Sequence, residues 1–476
     1  MERIRNGGQY EEACAVDAAE RDERRLTARQ DAARLTADGV RAVVVSWVDN
    51  AGISRAKTVP TTRLAQAAHR GIGMSPVFDV FTSDDFVTTS EHIGGPDGDL
   101  RLFPDLDRLT VLAAQPGWAW APADRYDQQG RPHPACQRQF ARRMAARAAG
   151  HGLELRMGFE TEWTVVRDDH HIPADGKRGP RTGDFAGRGP AYGLTRVTEQ
   201  SAYLLALHDA LDAQRVEVLQ IHPEYAPGQF EVSTAPADPV RAADDLVLVR
   251  ETVRAVSAAH GLRASFAPTV VAGEVGNGCH LHLSLREHGH NLHRDPTGRY
   301  GLAATADTFL GAVLDALPAL CAIGAPSPTS YLRLVPSQWA GVHRCWGVEN
   351  REAALRLVPG EPDDPDGGHA ELKPFDAAAN PYLLVGAVIA AGLRGVLDGG
   401  PPLPEPVTGD PAARGDQKRL PTSLSEAVAH FLRNEALREA LGEELCGAIV
   451  AVRRAESEAL AELGPDELAE ATRWRW

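Results

Sequence analysis

The chain has 476 residues, of which 43% are hydrophobic and 24% charged, so it contains enough apolar residues for two or three globular domains. Its formal net charge of -15 argues against a nucleic-acid or anionic-membrane partner and favours small-molecule substrates. The sequence has no clear membrane span or secretion signal, and its six cysteines are scattered without a CxxC motif. We therefore expect a cytoplasmic protein with reduced thiols.

The elements fall into three stretches along the chain. Residues 1–37 are charged and alanine-rich, which predicts a helical lead-in. The segment VRAVVVSWVDNAGISRAKTVP predicts a β-hairpin and opens a small β-rich domain over 38–125. Residues 126–476 predict a larger α+β domain, interrupted by glycine- and proline-rich loops at 168–190 and 401–421.

The C-terminal part predicts helices that end in an aromatic tail. Ser423 and Glu426 have the spacing of a capping box at the first of these helices. The tail, Trp474 to Trp476, is either frayed or a tether to another subunit.

The segment LELRMGFETEWTVV carries the first candidate chemistry. Side chains alternate between the two faces of a strand, so Glu160 and Glu162 share one polar face while Phe159 and Trp163 point to the other. Three later segments add acidic, imidazole or polar groups on strand faces: Glu224 with Glu231, then His280, His282 and Ser284, then His369, Glu371 and Lys373.

Clustered carboxylates need a counter-charge, because like charges within about 4–6 Å raise one another's pKa strongly. Divalent metal ions supply that charge, and oxygen-rich ligands with one imidazole suit Mg²⁺ or Mn²⁺ better than structural zinc. The sequence therefore predicts a metal site built from several strands.

Each motif also has a simpler interpretation when taken alone. An E-x-E strand is typical of a solvated sheet face, and HLH also fits hydrogen-bonded surface histidines. His280, His282 and Glu287 match the HxHxxxxE spacing of a cupin metal site, which would indicate an oxygenase or a binding module. The flanking glycines are out of place for a cupin, and that site leaves the earlier glutamates unexplained.

From about Val40 onward the chain resembles the glutamine synthetase family in its bacterial type I arrangement. The resemblance rests on segments that occur in family order: VSWVDNAGISRAKTVP, GFETEW, HPEYAPGQFEV, GNGCHLHLSL, SYLRLVP, ENREAALRL and FDAAANPYL. It implies an α+β fold, with an N-terminal β-grasp domain and a catalytic domain whose antiparallel sheet, surrounded by helices, forms a bifunnel site. It also implies hexameric rings stacked as a dodecamer, with each site between neighbouring subunits.

The resemblance implies two metal ions, either Mg²⁺ or Mn²⁺, in each site. The ligands of the first, which faces the amino-acid substrate, would be Glu162, Glu224 and Glu231. The ligands of the second, which faces the nucleotide phosphates, would be Glu160, His280 and Glu371. His282 and Ser284 would contact ATP, which the family binds without a P-loop, and the P-loop motif is absent from this sequence.

Other residues acquire roles through the same resemblance. Arg351, assigned as catalytic, and Arg356 would neutralise charge on the transferring phosphoryl group and the nucleotide. Arg333 would grip the substrate carboxylate, and Gly276 would belong to the substrate-binding set. Asp79 stands near the family's catalytic aspartate from the neighbouring subunit, although the Gly-Ser-Ser that should follow it is missing.

Departures from the family concentrate at the acceptor end of the site. Trp339 stands where the family has a glutamate that helps bind and deprotonate ammonium. Lys373 and His369 replace arginines, and Val275 replaces an asparagine that contacts the substrate. Lysine cannot reproduce the bidentate fork of arginine, so Lys373 changes how the substrate pocket binds an anion.

These features predict an ATP-dependent carboxylate–amine ligase that forms an amide through an acyl phosphate, with glutamate as the acid and an organic primary amine as acceptor. The predicted partners are small-molecule substrates and further copies of the chain, with no nucleic acid and no membrane. The alternatives are glutamine synthetase proper, in which Trp339 only packs, and a catalytically silent family member that serves as a structural protein.

Overall fold

The structure, a computed structural model, describes residues 15–96, 98–167, 185–187, 189–361, 363–364 and 367–476. Most of the loop predicted at 168–190 and the first part of the lead-in lie outside these residues.

The N-terminal part combines two helices with a six-stranded sheet. Its helices and strands are α1 (Ala18–Ala37), β1 (Ala42–Val48), β2 (Ser54–Pro60), α2 (Leu64–Arg70), β3 (Ile72–Met74), β4 (Leu100–Pro104), β5 (Thr110–Val111) and β6 (Trp118–Tyr126). The strand order is β2-β1-β6-β4-β3, with β5 beside β6. β1 and β6 are parallel, and the other pairs are antiparallel. Short 3₁₀ turns occupy Thr61–Arg63, Pro76–Val80 and Leu106–Arg108.

The predicted hairpin is confirmed by the antiparallel pairing of β1 with β2. Gly52 closes its turn at φ 78°, a conformation that glycine adopts readily and other residues rarely do. A Cβ atom at Gly52 would lie 1.8 Å from the carbonyl oxygen of Ala378, so only glycine lets the turn pack this closely against the rest of the chain.

The larger part is built on a nine-stranded sheet. Its strands are β7 (Leu153–Arg167), β8 (Val218–Pro223), β9 (Gln229–Thr234), β10 (Leu262–Ser265), β11 (Cys279–Glu287), β12 (His290–Asn291), β13 (His343–Val348), β14 (Ala353–Val358) and β15 (His369–Leu372). Their order is β13-β14-β15-β11-β7-β9-β8, with β10 beside β7 and β12 beside β11. The sheet is antiparallel except for β13 and β14, which are parallel.

Helices surround this sheet, as the sequence predicts for an α+β fold. They are α3 (Gln137–Gly150), α4 (Leu194–Glu199), α5 (Ser201–Ala213), α6 (Pro239–Ala259), α7 (Ala304–Gly324), α8 (Ser330–Arg333), α9 (Pro381–Asp398), α10 (Pro411–Arg414), α11 (Leu424–Arg433), α12 (Glu435–Leu441), α13 (Glu443–Ala459) and α14 (Pro465–Thr472). A further 3₁₀ turn spans Arg299–Gly301.

Two of these helices, α7 and α9, are long and apolar enough to cross a bilayer, which the sequence analysis did not anticipate. In each of them, 78% of the apolar window is buried inside the structure. They are core helices, and they pack against each other.

The predicted capping box at α11 is half formed. Ser423 accepts a hydrogen bond from the backbone N–H of Glu426, as expected of an N-cap. The Glu426 carboxylate accepts from the N–H of Thr422 rather than that of Ser423, so it caps the chain one residue earlier.

One hydrophobic core joins the two sheets. Val48 and Trp120, from the N-terminal strands, belong to the same buried cluster as the residues of α3, α7 and α9. A second, smaller cluster lies beneath α1 and α2. The domain boundary at 125–126 remains a prediction, because buried contacts continue across it.

Candidate active site

The strand pairing brings the predicted ligands together at the centre of the large sheet. Glu162 on β7 lies opposite Glu231 on β9. On its other side β7 pairs with β11, where Glu160 lies opposite His280. Glu371 on β15 lies opposite His282 on β11. Four strands thus direct acidic and imidazole groups into one region.

The first group of side chains, His222, Glu224 and Glu231, offers ligand atoms that all lie within 4.8 Å of one another. His222 Nε2 lies 3.3 Å from Glu231 Oε1, and His222 Nδ1 lies 3.7 Å from Glu224 Oε1. The Tyr192 hydroxyl donates to the Glu224 carboxylate, with its oxygen 2.9 and 2.7 Å from the two carboxylate oxygens.

Glu162 is buried beside this group and is held by two donors. Its Oε2 accepts hydrogen bonds from Gln229 Nε2 at 2.8 Å and from the Gly278 N–H at 2.9 Å. Gln229 also donates to the Gly276 carbonyl at 3.0 Å, which ties the strand to the loop before β11. The carboxylate is therefore fixed in position rather than free to rotate.

Burial and mutual repulsion raise the pKa of two of these glutamates. Burial, together with the charges of Glu162 and Glu231, raises the pKa of Glu224 to about 7. Burial also raises the pKa of Glu231, in spite of its hydrogen bond with His222. The same hydrogen bond raises the pKa of His222 to about 9. The group therefore carries more negative charge than its protein neighbours neutralise.

The second group consists of Glu160, His282 and Glu371, whose ligand atoms also lie within 4.8 Å of one another. His280 Nδ1 lies 3.2 Å from Glu160 Oε2 and 3.1 Å from Glu371 Oε1. Although burial and Lys373 oppose protonation, these two carboxylates raise the pKa of His280 to about 9. Both imidazoles of the HLH motif therefore reach the same carboxylates.

The donor set fits divalent metal ions. Both groups are rich in carboxylate oxygens and contain imidazole nitrogen, the combination expected for Mg²⁺ or Mn²⁺. Gly278 lies where the groups meet, and a Cβ atom there would lie 2.6 Å from His280 Nε2 and 2.9 Å from Glu162 Oε1. Only glycine lets the backbone come this close to both side chains.

A cavity of about 500 Å³ opens beside the second group. Glu160, His282, Ser284 and His369 are among its lining residues. The rings of His282 and His369 lie 5.1 Å apart at the cavity wall. Its size suits a nucleoside, and it lies on the side of the site where the sequence predicts the nucleotide.

The predicted basic residues lie at different depths. Arg356 donates to Glu371 at 3.2 Å, and Lys373 donates to the same carboxylate at 3.0 Å. Arg333 is buried, with Nη2 3.2 Å from His280 Nε2, and its Nη1 forms no hydrogen bond with a described residue. Arg351 is exposed at the turn before β14.

Asp79 is held by residues outside the two carboxylate–imidazole groups, and its predicted catalytic role in a neighbouring subunit's site stays a prediction. It is fully buried in the N-terminal part, where its carboxylate pairs with Arg125 at 2.7 Å and accepts from Gln137 at 3.0 Å. Within one chain, these partners give the carboxylate a structural role. The missing Gly-Ser-Ser agrees with this structural role.

Sequence reasoning missed three residues of the site: Tyr192, His222 and Gln229. His222 precedes Glu224 by two positions, and strand alternation could have placed both on one face. Tyr192 and Gln229 carry no such signal, because their contacts depend on how the loop before α4 and the start of β9 approach β7.

Two family models match most of the chain. The model for "Glutamine synthetase, catalytic domain" matches residues 134–469, and that for "Glutamine synthetase N-terminal domain" matches residues 29–129.

Individual relatives extend this similarity over nearly the full length. The chain is 54% identical over 456 residues to gamma-glutamylpolyamine synthetase GlnA3 of Streptomyces coelicolor, covering 93% of this chain and 95% of that protein. It is 29% identical over 429 residues to glutamate–methylamine ligase of Methyloversatilis universalis, covering 85% and 89%. A crystal structure of a glutamine synthase homologue superposes with a TM-score of 0.81 at 32% identity, covering 92% of this chain and 99% of the other.

Proposed function

Because the chain belongs to the glutamine synthetase family, we propose that it is an ATP-dependent ligase that joins the γ-carboxyl group of glutamate to an organic primary amine. The observation that carries the proposal is the pair of carboxylate–imidazole groups at the centre of the sheet, beside a cavity that can accept a nucleoside.

The residue roles follow from this arrangement. Glu162, Glu224 and Glu231 would hold one divalent ion, and Glu160, His280 and Glu371 a second, with His222 and His282 as further donors within reach. When bound, such ions neutralise charge on the carboxylates and on the phosphate oxygens. Ser284 and His282 would contact ATP in the 500 Å³ cavity.

The proposed reaction has two steps. A γ-carboxylate oxygen of glutamate attacks the γ-phosphorus of ATP, and ADP leaves. The neutral amine then attacks the carbonyl carbon of the acyl phosphate, loses a proton and expels phosphate. Arg351 and Arg356 supply positive charge for the first step, Arg333 and Gly276 help bind glutamate, and Lys373 adds a cation beside Glu371.

The acceptor end favours an organic amine. Trp339 stands where the family carries a glutamate for ammonium, and an indole gives an apolar surface in its place. Two relatives are named for amine substrates, a polyamine and methylamine. We extend the polyamine class to this chain because of its 54% identity to the first.

The assembly and location of the protein are part of the same proposal. On the family resemblance we expect a homo-oligomer of hexameric rings, stacked as a dodecamer, in the cytoplasm. Glutamine synthetase proper and a silent structural protein are the competing outcomes of the experiment below.

The test measures phosphate release from ATP with glutamate and Mg²⁺ or Mn²⁺, comparing ammonia with primary amines and identifying products by mass spectrometry. We expect glutamyl amides of organic amines and little glutamine. Glutamine as the main product would make the protein a glutamine synthetase, and the absence of turnover with every amine would overturn the proposal.

A substitution tests the site itself. Glu162→Ala removes a proposed metal ligand and should lower turnover by at least about 100-fold, since metal catalysis contributes several kcal/mol. Glu154→Ala is the matched control, because Glu154 is an exposed carboxylate on the same strand. Full activity of the Glu162 variant would contradict the assigned site.

A further inference from the structure

Two large aromatic side chains, Tyr225 and Trp339, stand half exposed beside the first carboxylate group. Tyr225 is 47% exposed and Trp339 is 43% exposed, whereas Trp163 and Trp346 are fully buried. The two rings lie 5.2 Å apart between centroids and are tilted by 50°. They form an open wedge, which we call the aromatic wedge.

The backbone holds the Trp339 indole in this position despite local strain. Trp339 has φ 55°, in the left-handed region that bulky residues rarely occupy, and Ser337 two residues earlier has φ 61°. The N–H of Trp339 donates to Glu352 Oε1 at 2.9 Å, which fixes the turn. Strain of this kind persists where the surrounding structure enforces it, and it often marks a ligand contact.

Each ring of the aromatic wedge belongs to a residue whose backbone is bound to a carboxylate. The N–H of Tyr225 donates to Glu224 Oε2 at 2.9 Å, just as that of Trp339 donates to Glu352. Aromatic faces carry partial negative charge, and ammonium ions within about 6 Å of a ring centroid are attracted to them. The rings and the carboxylates therefore favour a positively charged ligand group.

We propose that the aromatic wedge of Tyr225 and Trp339 binds the second, non-reacting ammonium group of a diamine or polyamine while its first amine is acylated. This inference rests on the proposed function, and it names residues that select the amine. Tyr225 connects the aromatic wedge directly with the first carboxylate group, because it follows Glu224 in the chain and its N–H is hydrogen-bonded to the Glu224 carboxylate. Ammonia or a short monoamine has no second charge for the wedge to bind.

The experiment compares two acceptors of equal chain length, 1,4-diaminobutane and n-butylamine, by kcat/KM of phosphate release with ATP and glutamate. The wild-type enzyme should prefer the diamine. Trp339→Leu and Tyr225→Leu should each lower this preference about threefold, the size expected when a cation–π contact at a partly exposed site is lost, mainly by raising KM for the diamine. Tyr225→Phe keeps the ring and should keep the preference.

Trp118→Leu is the matched control, because Trp118 is a 37% exposed tryptophan at the start of β6, on the N-terminal sheet. It should leave the diamine preference unchanged. Because both amines require the same chemistry, a variant with impaired folding or catalysis loses activity with both and leaves the ratio intact.

Three outcomes are distinct. A reduced ratio in both leucine variants supports the wedge. An unchanged ratio in either folded leucine variant, with amide still formed, overturns the wedge and leaves the ligase function standing. Absence of amide from both amines in the wild-type enzyme overturns the proposed function and the wedge together.

Discussion

At the scale of single residues, His293 shows how burial affects an ionisable group close to His369, which lines the 500 Å³ cavity. The side chain is buried, and neither ring nitrogen forms a hydrogen bond with a described residue. Burial, with a smaller contribution from the nearby His369, lowers the pKa of His293 to about 3. The ring therefore stays neutral in the folded protein at pH values where an exposed histidine is charged.

This lowered pKa predicts a loss of stability in acid. The unfolded chain protonates His293 near pH 6.5 and the folded chain does not, so the unfolded state gains stability as pH falls from 6.5 towards 3. At pH 5 this effect lowers the free energy of unfolding by about 2 kcal/mol, because pH 5 lies about 1.5 units below 6.5 and each unit contributes about 1.36 kcal/mol. Between pH 7 and pH 5, the free energy of unfolding of the wild-type protein, measured with denaturant, should fall by about 2 kcal/mol more than that of His293→Leu.

The exposed His290 provides the control for that measurement. His290→Leu should follow the wild-type pH dependence, because it leaves the buried His293 ring in place. If the free energy of unfolding changes with pH in the same way for wild type and His293→Leu, the interpretation of His293 as a neutral buried ring is wrong.

At the scale of secondary-structure elements, α3 and α6 are joined by a buried ion-pair network. Arg138 on α3 donates to both oxygens of Asp244 on α6, at 3.0 and 2.9 Å. It also donates to Asp105 at 2.7 Å and to Asp124 on β6 at 3.1 Å. The Tyr382 hydroxyl of α9 donates to Asp244 at 2.7 Å. One guanidinium thus connects the N-terminal sheet with the helices of the larger part.

Removing this guanidinium should be strongly destabilising. Arg138→Ala removes both hydrogen bonds of its guanidinium to the buried Asp244, which then keeps, among the described residues, only the weaker ion pair with Arg108 at 3.2 Å, and we expect a loss of about 3 kcal/mol in the free energy of unfolding. Arg142→Ala, on the same helix, removes a half-exposed arginine that contacts Asp105 and Asp124, and should change stability by less than about 1 kcal/mol. Equal effects of the two substitutions in denaturant unfolding would contradict the network.

At the scale of the whole molecule, the C-terminal tail packs against both sheets. The Trp476 indole N–H donates to the Ala51 carbonyl at 2.8 Å, in the turn of the β1–β2 hairpin. The Trp476 carbonyl accepts from the N–H of Phe266 at 3.0 Å, just after β10. Trp476 is buried, so the frayed tail is wrong for this residue, whereas the tether to another subunit stays a prediction.

This position predicts that the tail contributes to global stability. Trp476→Ala should destabilise the protein by about 3–5 kcal/mol, because it removes a buried aromatic side chain and leaves the Ala51 carbonyl without its donor. Thermal unfolding should show a clear decrease in melting temperature, whereas Trp118→Ala, at an exposed position, should have little effect. A Trp476 variant as stable as the wild type would show that the tail only covers the surface.

Much of the candidate site could be predicted from residue patterns. Alternation along β7 and β11 was sufficient to place Glu160 with Glu162, and His280 with His282, on shared faces. His222 could have been found by the same rule. The buried ion pair of Asp79 could not be predicted, because its motif position gives no information about Arg125, which approaches from β6 and encloses the carboxylate.

By itself, the sequence determined which side chains share a strand face, where the hairpin turns and which family the chain resembles, because these depend on neighbours along the chain. Only the tertiary structure decided that Glu162 faces Glu231 and that His282 faces Glu371, because strand order and register arise from packing between distant segments. The contact of Tyr225 with Trp339 and the burial of Trp476 have the same origin. Periodicity is a local property, whereas the meeting of two faces is set by the fold as a whole.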